Sequence, residues 1–349
     1  MIDSSVLTDR ERRPIQALRM PIPAARGKIT EALLADLKDR RDSCRRVAST
    51  GVDHVVDVFA DDDAQLALTL LYELHLRGID GVDDELGWDP DLLRLRSDLE
   101  KLHIAALDES VGRVVDPPDV VDELFRIGAS DDGPPLARFM ATKGTVEQFR
   151  EIVIHRSLNQ LREADLHTHA IPRIAGSAKA ALVEVQSDEY GGGRLDYMHS
   201  ELFARLMREL ELNDSYAHYI DSVPAATLVA LNTLSYFGMH RSRVNELVGH
   251  LCLIEMSSSL PSRDYSRALR RLDVDESARI FYDEHVEADA VHEQLIVRRV
   301  AGALGVTPAD RIGLVRGARA CLVVENLLTE QIWDAWESGR SSLLPAVAR

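Results

Sequence analysis

The chain has 349 residues, of which 45 % are hydrophobic and 5 % aromatic, and a formal net charge of −17. This length is enough for one large domain or two modest ones, and the scarcity of aromatic residues favours packed helices over a sandwich or a barrel. The acidic balance excludes nucleic acid as the main partner, because phosphate binding needs clustered Lys and Arg, and no apolar run approaches the roughly 18–20 residues of a membrane span.

The N-terminal part of the chain begins without periodicity and then becomes helical. Residues 1–28 carry charges and prolines, so we expect a poorly ordered arm. Amphipathic patterns predict helices over residues 64–77, where Asp61 begins an acidic N-cap region, and over residues 92–107, where leucines recur at helical spacing. We therefore expect residues 29–115 to form an N-terminal helical subdomain.

The remaining residues, 116–338, are expected to form the core of the protein. Proline pairs at Pro117-Pro118 and Pro134-Pro135 mark a soft boundary before this region. No internal repeat and no run of alternating strand residues is evident, so the expected fold class is all-α. The predicted helices cover residues 146–167, 177–211, 225–260, 275–304 and 308–338.

The sharpest chemical pattern is His285-x3-Asp289-x2-His292 within a predicted helix. At about 100° per residue, these positions fall within about 60° of one helical face. Two imidazoles and one carboxylate on a single stripe suit iron, manganese or zinc. A solvated polar face is the alternative, since three glutamates lie close by in sequence.

A second pattern places Glu189, Asp196 and His199 on one stripe of a predicted helix, about 80° wide. An acid-x-x-His pair lets two side chains bind one metal pair in helical bundles. Three consecutive glycines, residues 191–193, interrupt this stretch at roughly 1 kcal/mol each relative to Ala. We therefore expect local unwinding near a site, with an ordinary glycine turn between two helices as the alternative.

A third acid must come from another helix, and Glu163 is the best candidate. Four carboxylates and three histidines could then hold two metal ions roughly 3.5–4 Å apart. His250 and Glu255 could orient the ligands or could be ordinary polar groups of the core. His155 lies two turns before Glu163 and His167 one turn after it, and Asp165 and His169 are weaker alternatives to Glu163.

Four stretches together resemble the haem-oxygenase-like di-iron oxidase and oxygenase family of iron-containing redox enzymes. They read EADLHTHAIPRIAGSAKAALVEVQSDEYGGG, DYMHSELFARLM, GHLCLIEMSSSLPSR and FYDEHVEADAVHEQ, and the similarity covers roughly residues 65–335. The resemblance implies a seven-helix haem-oxygenase-like bundle that holds two irons and no haem. Its implied ligands are Glu163, Asp196, His199, His285, Asp289 and His292, with Glu189 as an additional carboxylate.

The resemblance also implies a class of reaction. Family members with the additional acid tend to oxygenate nitrogen, whereas members that cleave C–C bonds tend to lack it. We therefore expect a non-haem di-iron enzyme that uses O₂ and an electron donor to N-oxygenate a small amine or amino acid in specialised metabolism. Desaturation or oxidative C–C cleavage of an amino or fatty acid is the alternative. Arg173, Arg241 and Arg243 are candidates to bind a substrate carboxylate.

Asp196 departs from the family pattern, because Glu is usual at its position. Aspartate is one methylene shorter, so its contact with a metal would be weaker or would need a shift of the helix. The resemblance further implies that the helix bearing these residues unwinds without iron, which agrees with the glycine cluster.

A metal-free protein of the same fold is a different class of function. A thiaminase-like hydrolase would need a cysteine nucleophile, and Cys252, close to His250, is the candidate; a binding scaffold would need none. The three cysteines contain no CxxC pair, so neither a disulfide framework nor a thiolate zinc site is indicated. The N-terminus is not signal-like, so we expect a cytoplasmic protein, and an apolar face of the N-terminal subdomain could support a homodimer.

Overall fold

The computed structural model describes residues 18–39, 45–130 and 133–345, without the side chains of residues 45 and 287–291. Helices dominate these ranges, which confirms the all-α fold class. Extended pairing within the described ranges amounts to two isolated bridges, Met20 with Ile79 and Tyr190 with Met198. No helix in the described part of the chain is both long and apolar enough to cross a lipid bilayer.

The N-terminal part forms four helices. They are α1 (Lys28–Lys38), α2 (Arg45–Ala48), α3 (Asp62–Glu73) and α4 (Pro90–Val111). Asp61 caps α3, because its side chain accepts hydrogen bonds from the backbone N–H groups of Asp63 and Ala64. Of the expected arm, residues 1–17 lie outside the described ranges. The side chain of Met20 is buried, and its backbone is hydrogen-bonded to Gly78 and Asp80.

The remaining helices begin at residue 120. They are α5 (Val120–Gly128), α6 (Leu136–Thr142), α7 (Val146–Gln160), α8 (Asp165–Thr168), α9 (Gly176–Glu189), α10 (His199–Glu209), α11 (Ala225–Met239), α12 (Val244–Ser257), α13 (Ser259–Arg271), α14 (Glu276–Gln294), α15 (Gly302–Leu304) and α16 (Pro308–Glu337). A π-helical segment, Leu295–Ala301, joins α14 to α15. The candidate site described below is formed by helices of this region.

Two of the predicted long helices are split by left-handed backbone. The stretch 146–167 breaks between α7 and α8, where Ala164 has φ 72°. The stretch 177–211 breaks between α9 and α10, where all three glycines of 191–193 have positive φ. Glu189 consequently ends one helix and His199 begins the next, so they do not share a helical face as the spacing suggested.

Helices α12 and α16 approach each other backbone to backbone. A Cβ atom at Gly249 would lie 1.9 Å from the carbonyl oxygen of Leu314, and one at Gly317 would lie 2.0 Å from that of Glu246. Any larger residue at either position would push the two helices apart. This close contact sets the position of α12, which carries Glu255, against α16.

Polar groups inside the fold tie the N-terminal helices to the rest of the chain. Between α3 and α11, the hydroxyl of Thr69 donates to the side-chain Oδ1 of Asn232 at 2.9 Å, and Nδ2 of Asn232 donates to the side chain of Gln65 at 2.8 Å. Arg162 donates to Glu73 at 2.7 Å, with both side chains buried. The N-terminal helices therefore pack directly on the part of the chain that carries the site, and the boundary near residue 115 stays a prediction.

Candidate metal centre

Two groups of three potential ligands lie next to each other inside the fold. Glu163, between α7 and α8, comes together with His199 at the start of α10 and His285 on α14. The second group is Glu189 at the end of α9, Glu255 on α12 and His292 on α14. Within each group the ligand atoms all lie within 4.8 Å of one another, and every side chain is buried or nearly so. Carboxylates and imidazoles at such distances are the donor set that iron and manganese take.

Glu189 connects the two groups. Its Oε2 atom lies 2.9 Å from Nδ1 of His199 in the first group, and its Oε1 atom lies 3.6 Å from Nδ1 of His292 in the second. One carboxylate therefore presents one oxygen to each group. A carboxylate in this position is suited to bridge two cations.

Three buried ligand atoms of the centre have no hydrogen-bond partner among the described residues. They are Oε2 of Glu163, Nδ1 of His199 and Nδ1 of His292. An unsatisfied buried polar atom is costly, and three of them converging at one place need a common explanation. Cations bound at the two groups would satisfy all three, so the residues present fit metal ions.

Hydrogen bonds orient the imidazoles and Glu163 for that role. Nδ1 of His285 donates to the carbonyl oxygen of Phe281 at 2.6 Å, which turns its Nε2 lone pair towards Glu163. Gln160 donates to Oε1 of Glu163 at 2.8 Å, which leaves Oε2 for the centre. Partner groups of this kind fix the tautomer and the orientation of metal ligands.

The clustered charges change the protonation of the centre. Burial opposes ionisation of Glu189, but the neighbouring imidazoles, His199 first, lower its pKa to about 2. Burial opposes the charged form of His292, yet the carboxylates around it, Glu255 first, raise its pKa to about 9. Protons on the imidazoles thus neutralise part of the negative charge of the carboxylates. A divalent cation that bound here would displace these protons.

Five of the seven expected ligands come together in these groups: Glu163, Glu189, His199, His285 and His292. Asp196 is not brought to either group; it is exposed in the short 3₁₀ turn Leu195–Tyr197, because the glycine break ends the helix that would have carried it inward. The side chain of Asp289 lies outside the described residues.

Glu255 is the member of the centre that the sequence patterns did not assign as a ligand, although it was considered as an orienting partner. It is 4 % exposed, and its Oε2 lies 3.5 Å from Nδ1 of His292. The signal in the sequence is a lone carboxylate in the apolar stretch HLCLIE. Such a group must find a partner once the helix is buried.

The two weaker alternatives to Glu163, and the two histidines near it in the chain, have partners elsewhere. Asp165 accepts from Arg77 at 3.0 Å, and the ring of His169 donates to the carbonyl oxygen of Gly238. The His155 ring is hydrogen-bonded to Thr227 and Ser342, and burial lowers its pKa to about 3. His167 lies 3.2 Å from His250, and burial followed by His250 lowers its pKa to about 3.

A cavity of about 110 Å³ adjoins the centre. Glu163, Glu189, Glu255 and His285 form part of its wall, and leucines and alanines from α11, α12 and α16 form much of the rest. At about 10–15 Å³ per water-sized group, it has room for on the order of ten such groups, the size of a small organic molecule. The cavity therefore has room for a small ligand beside the candidate metal ligands.

The arginines considered for substrate binding do not line this cavity. Arg243 is paired with Glu246 at 2.9 Å, and Arg173 donates to the carbonyl oxygen of Met239. Arg241 is exposed in a 3₁₀ turn. Within the described residues, the arginines on the cavity wall are Arg156 and Arg162.

Comparison with known proteins links the chain to iron-containing redox enzymes. A family model described as iron-containing redox enzyme matches residues 150–326, just over half of the chain. The chain is 24 % identical over 263 residues to a nitrosourea synthase from Streptomyces achromogenes subsp. streptozoticus, a match that covers 72 % of this chain and 55 % of the relative. The chain thus spans little more than half the length of that relative.

A crystal structure of a CADD-like protein of unknown function from Nostoc punctiforme has a TM-score of 0.49 and 16 % identity, covering 62 % of this chain and 96 % of that one. Both ligand groups lie within residues 163–292, inside the range that the family model matches. The chain belongs to the family of iron-containing redox enzymes.

Proposed function

We propose that this protein is a non-haem di-iron oxygenase that uses O₂ to oxygenate nitrogen in a small amine or amino acid. The observation that carries the two-metal part of the proposal is Glu189, whose two oxygens face two separate ligand groups. Iron bound there would supply the activation of O₂, with electrons from an external donor.

The ligands of the proposed centre are the two groups as they lie in the fold. Glu163, His199 and His285 would hold one iron, Glu255 and His292 the other, and Glu189 would bridge them. Asp289, implied by the family resemblance, is a further candidate on the same helix as His292.

The side chains around the ligands have their own tasks. Gln160 holds Glu163 by a hydrogen bond, and the carbonyl of Phe281 holds His285, so little rearrangement is needed when a metal enters. The apolar part of the cavity wall, including Leu231 and Leu251, limits the access of water to a bound substrate.

Three observations support nitrogen as the atom oxygenated. Glu189, the additional acid that N-oxygenating members tend to have, lies in the centre rather than on the surface. The curated relative is named for a nitrosourea, a compound with an N–N bond. The cavity suits a small molecule better than a long acyl chain.

A cysteine hydrolase is poorly supported by the environment of Cys252. This residue is fully buried and is not part of the cavity wall among the described residues. Burial first, and then Glu255, raise the pKa of its thiol, so the reactive thiolate is disfavoured.

The reaction class can be tested by incubating the iron-loaded, reduced protein with O₂ and a panel of amines and amino acids, followed by mass spectrometry. We expect products that gain oxygen on nitrogen, as N-hydroxy, nitroso or nitro compounds. Desaturated or shortened carbon products would instead support the alternative reaction and contradict N-oxygenation.

Glu189 provides the matching variant. Glu189→Gln keeps the shape of the side chain but cannot serve as an anionic bridge, so we expect loss of the second iron and of N-oxygenated product. Glu184→Gln, on an exposed turn of the same helix, is the control. Full activity in Glu189→Gln would contradict the bridging role.

A further inference from the structure

We propose that Arg156 and Glu325 form a head-group site on the cavity wall for a ligand that carries both a carboxylate and an ammonium group. The proposal rests on the proposed function in one respect, since it takes the cavity beside the metal centre as the substrate pocket. Beyond that function, the proposal identifies the side chains that select the substrate and the charged groups that the substrate carries.

Both residues face the cavity that adjoins the centre. Arg156 lies on α7, seven residues before Glu163, and Glu325 lies on α16. Their side chains are 36 % and 25 % exposed, whereas His155 and Ser157, on either side of Arg156, are buried. The pair is therefore accessible to a molecule that enters the cavity.

The pair leaves hydrogen-bonding capacity unused. Nη1 of Arg156 donates to Oε2 of Glu325 at 2.6 Å. Among the described residues, no hydrogen bond reaches Nε or Nη2 of Arg156, or Oε1 of Glu325. The free N–H groups of a guanidinium match a carboxylate, and the free carboxylate oxygen can accept from an ammonium.

A second arginine pair in the same fold is far less accessible. Arg162 and Glu73 are 2 % and 1 % exposed, and the hydroxyl of Tyr216 also donates to Glu73 at 2.9 Å. Arg162 borders the same cavity, but its side chain is buried. The Arg156–Glu325 pair has the same chemistry and is much more exposed.

The charges along the cavity wall leave little choice of ligand. The other acids of the wall, Glu163, Glu189 and Glu255, belong to the proposed metal centre. Glu325 is therefore the acid available to an ammonium. Of the two arginines on the wall among the described residues, Arg156 is the accessible one, at 36 % exposed against 2 % for Arg162, and it has open donors for a carboxylate. The cavity has room for a molecule of about ten non-hydrogen atoms. Amino acids have this size and carry both a carboxylate and an ammonium group.

Calorimetric titration of the full chain with the standard L-amino acids tests the proposal. It is done anaerobically with Fe(II)-loaded protein and again with metal-free protein. Any amino acid that binds is compared with the amine that lacks its carboxylate and with the acid that lacks its amine. We expect each single-charge analogue to bind about ten- to a hundredfold more weakly. Equal binding of the analogues, or binding of no amino acid, would overturn the proposal.

Variants assign the effect to the two residues. Arg156→Gln is expected to reduce amino-acid affinity to that of the amine analogue, and Glu325→Gln to that of the acid analogue. The double variant leaves no buried charge unpaired and so serves if a single variant fails to fold. Arg150→Gln is the control, because Arg150 lies on the same helix but pairs with the exposed Glu211.

Two outcomes separate this site from the metal centre. If the protein bound no iron, but its amino-acid selectivity were lost in the double variant, the head-group site would be supported and the proposed reaction would be contradicted. Iron binding and O₂ consumption with unchanged affinity in the double variant would mean that Arg156 and Glu325 serve only to hold α7 against α16.

Discussion

At the scale of single residues, a hydrogen bond on the far side of an imidazole decides which nitrogen faces a metal. His292 has Nε2 3.2 Å from Oδ2 of Asp188, a carboxylate that can only accept when it is ionised. When the ring gives up one proton to a metal, Nε2 therefore keeps its proton, and Nδ1, which lies beside Glu189 and Glu255, is the nitrogen left to bind the metal. Asp188 is 61 % exposed, so its contribution lies in orientation rather than in packing.

We expect Asp188→Ala to lower the affinity for Fe(II) or Mn(II) by about ten- to a hundredfold, the usual effect of losing such a partner. Asp188→Asn retains an acceptor oxygen and should recover part of the affinity. Metal titration of the purified variants measures both effects. Glu184→Gln, one turn earlier on α9 and paired with Arg299 at the surface, is the matched control. An affinity in Asp188→Ala equal to that of the control would contradict the orienting role.

The ligands that the sequence could predict are those whose spacing is local. His285 and His292 share α14, as their separation of seven residues indicates. That they serve different groups could not be predicted, since it depends on which helices pack on each side of α14. The prediction that Asp196 is a ligand assumes a continuous helix. Glu255 could not be identified as a ligand from local spacing, because its partner His292 lies 37 residues away in the chain.

At the scale of elements, the turn between α9 and α10 brings Glu189 and His199 together, although the two residues lie on different helices. Gly191 makes the closest approach in this turn: a Cβ there would lie 2.6 Å from the backbone nitrogen of Met198, at φ 65°. Gly192 has a similar φ of 59° but no neighbour within 4 Å of a Cβ.

Alanine substitutions at these two glycines distinguish the effect of backbone strain from the effect of a steric clash. Both Gly191→Ala and Gly192→Ala incur the left-handed penalty of about 1–2 kcal/mol. Only Gly191→Ala also disturbs the turn, so we expect it to weaken metal binding by tenfold or more, whereas Gly192→Ala changes stability alone. Metal titration and thermal unfolding of the pair measure the difference. Equal metal affinities would show that the turn does not position the ligands.

The contact of α12 with α16 yields a second prediction at this scale. We expect Gly249→Ala to lower the free energy of unfolding by about 1–3 kcal/mol or more, because the added methyl group would clash with the backbone of Leu314. Gly128→Ala on α5 is the control, since its methyl group would meet the flexible side chain of Met256. Chemical unfolding gives both values. A cost at Gly249 no larger than at Gly128 would contradict the close packing of these helices.

Helix positions followed from apolar periodicity, and the predicted and observed helices agree over most of the described chain. For example, α16 begins at Pro308 and ends at Glu337, within one residue of the predicted 308–338. The breaks were harder to predict. Ala164 is left-handed although it is not a glycine, and nothing in its local sequence indicates this.

At the scale of the whole molecule, buried neutral histidines make stability depend on pH. His103 is fully buried, with Nδ1 accepting from Gln65 and Nε2 donating to Thr233. Burial lowers its pKa to about 3, against about 6.5 in an unfolded chain. Between these values the unfolded chain binds the additional proton, so the stability of the fold falls as pH falls below about 6.5.

Replacing this imidazole should reduce that dependence. Between pH 6 and pH 5 we expect the free energy of unfolding of His103→Gln to change by about 1.4 kcal/mol less per pH unit than that of the wild type. Denaturant unfolding at several pH values measures both slopes, whatever the stability of the variant at neutral pH. Parallel slopes would mean that His103 gains its proton in the folded protein as readily as in the unfolded one.

The proposed centre would hold two metal ions bridged by Glu189, and anaerobic titration with Fe(II), followed by separation of unbound metal, counts them directly. We expect two tightly bound irons per chain. Glu255→Gln should lower the affinity by at least about tenfold, because it removes an anionic ligand from the second group. Asp196→Asn, which alters an exposed carboxylate, should lower it less. Binding of no iron, or of a single iron that is unaffected by Glu255→Gln, would contradict the two-metal centre.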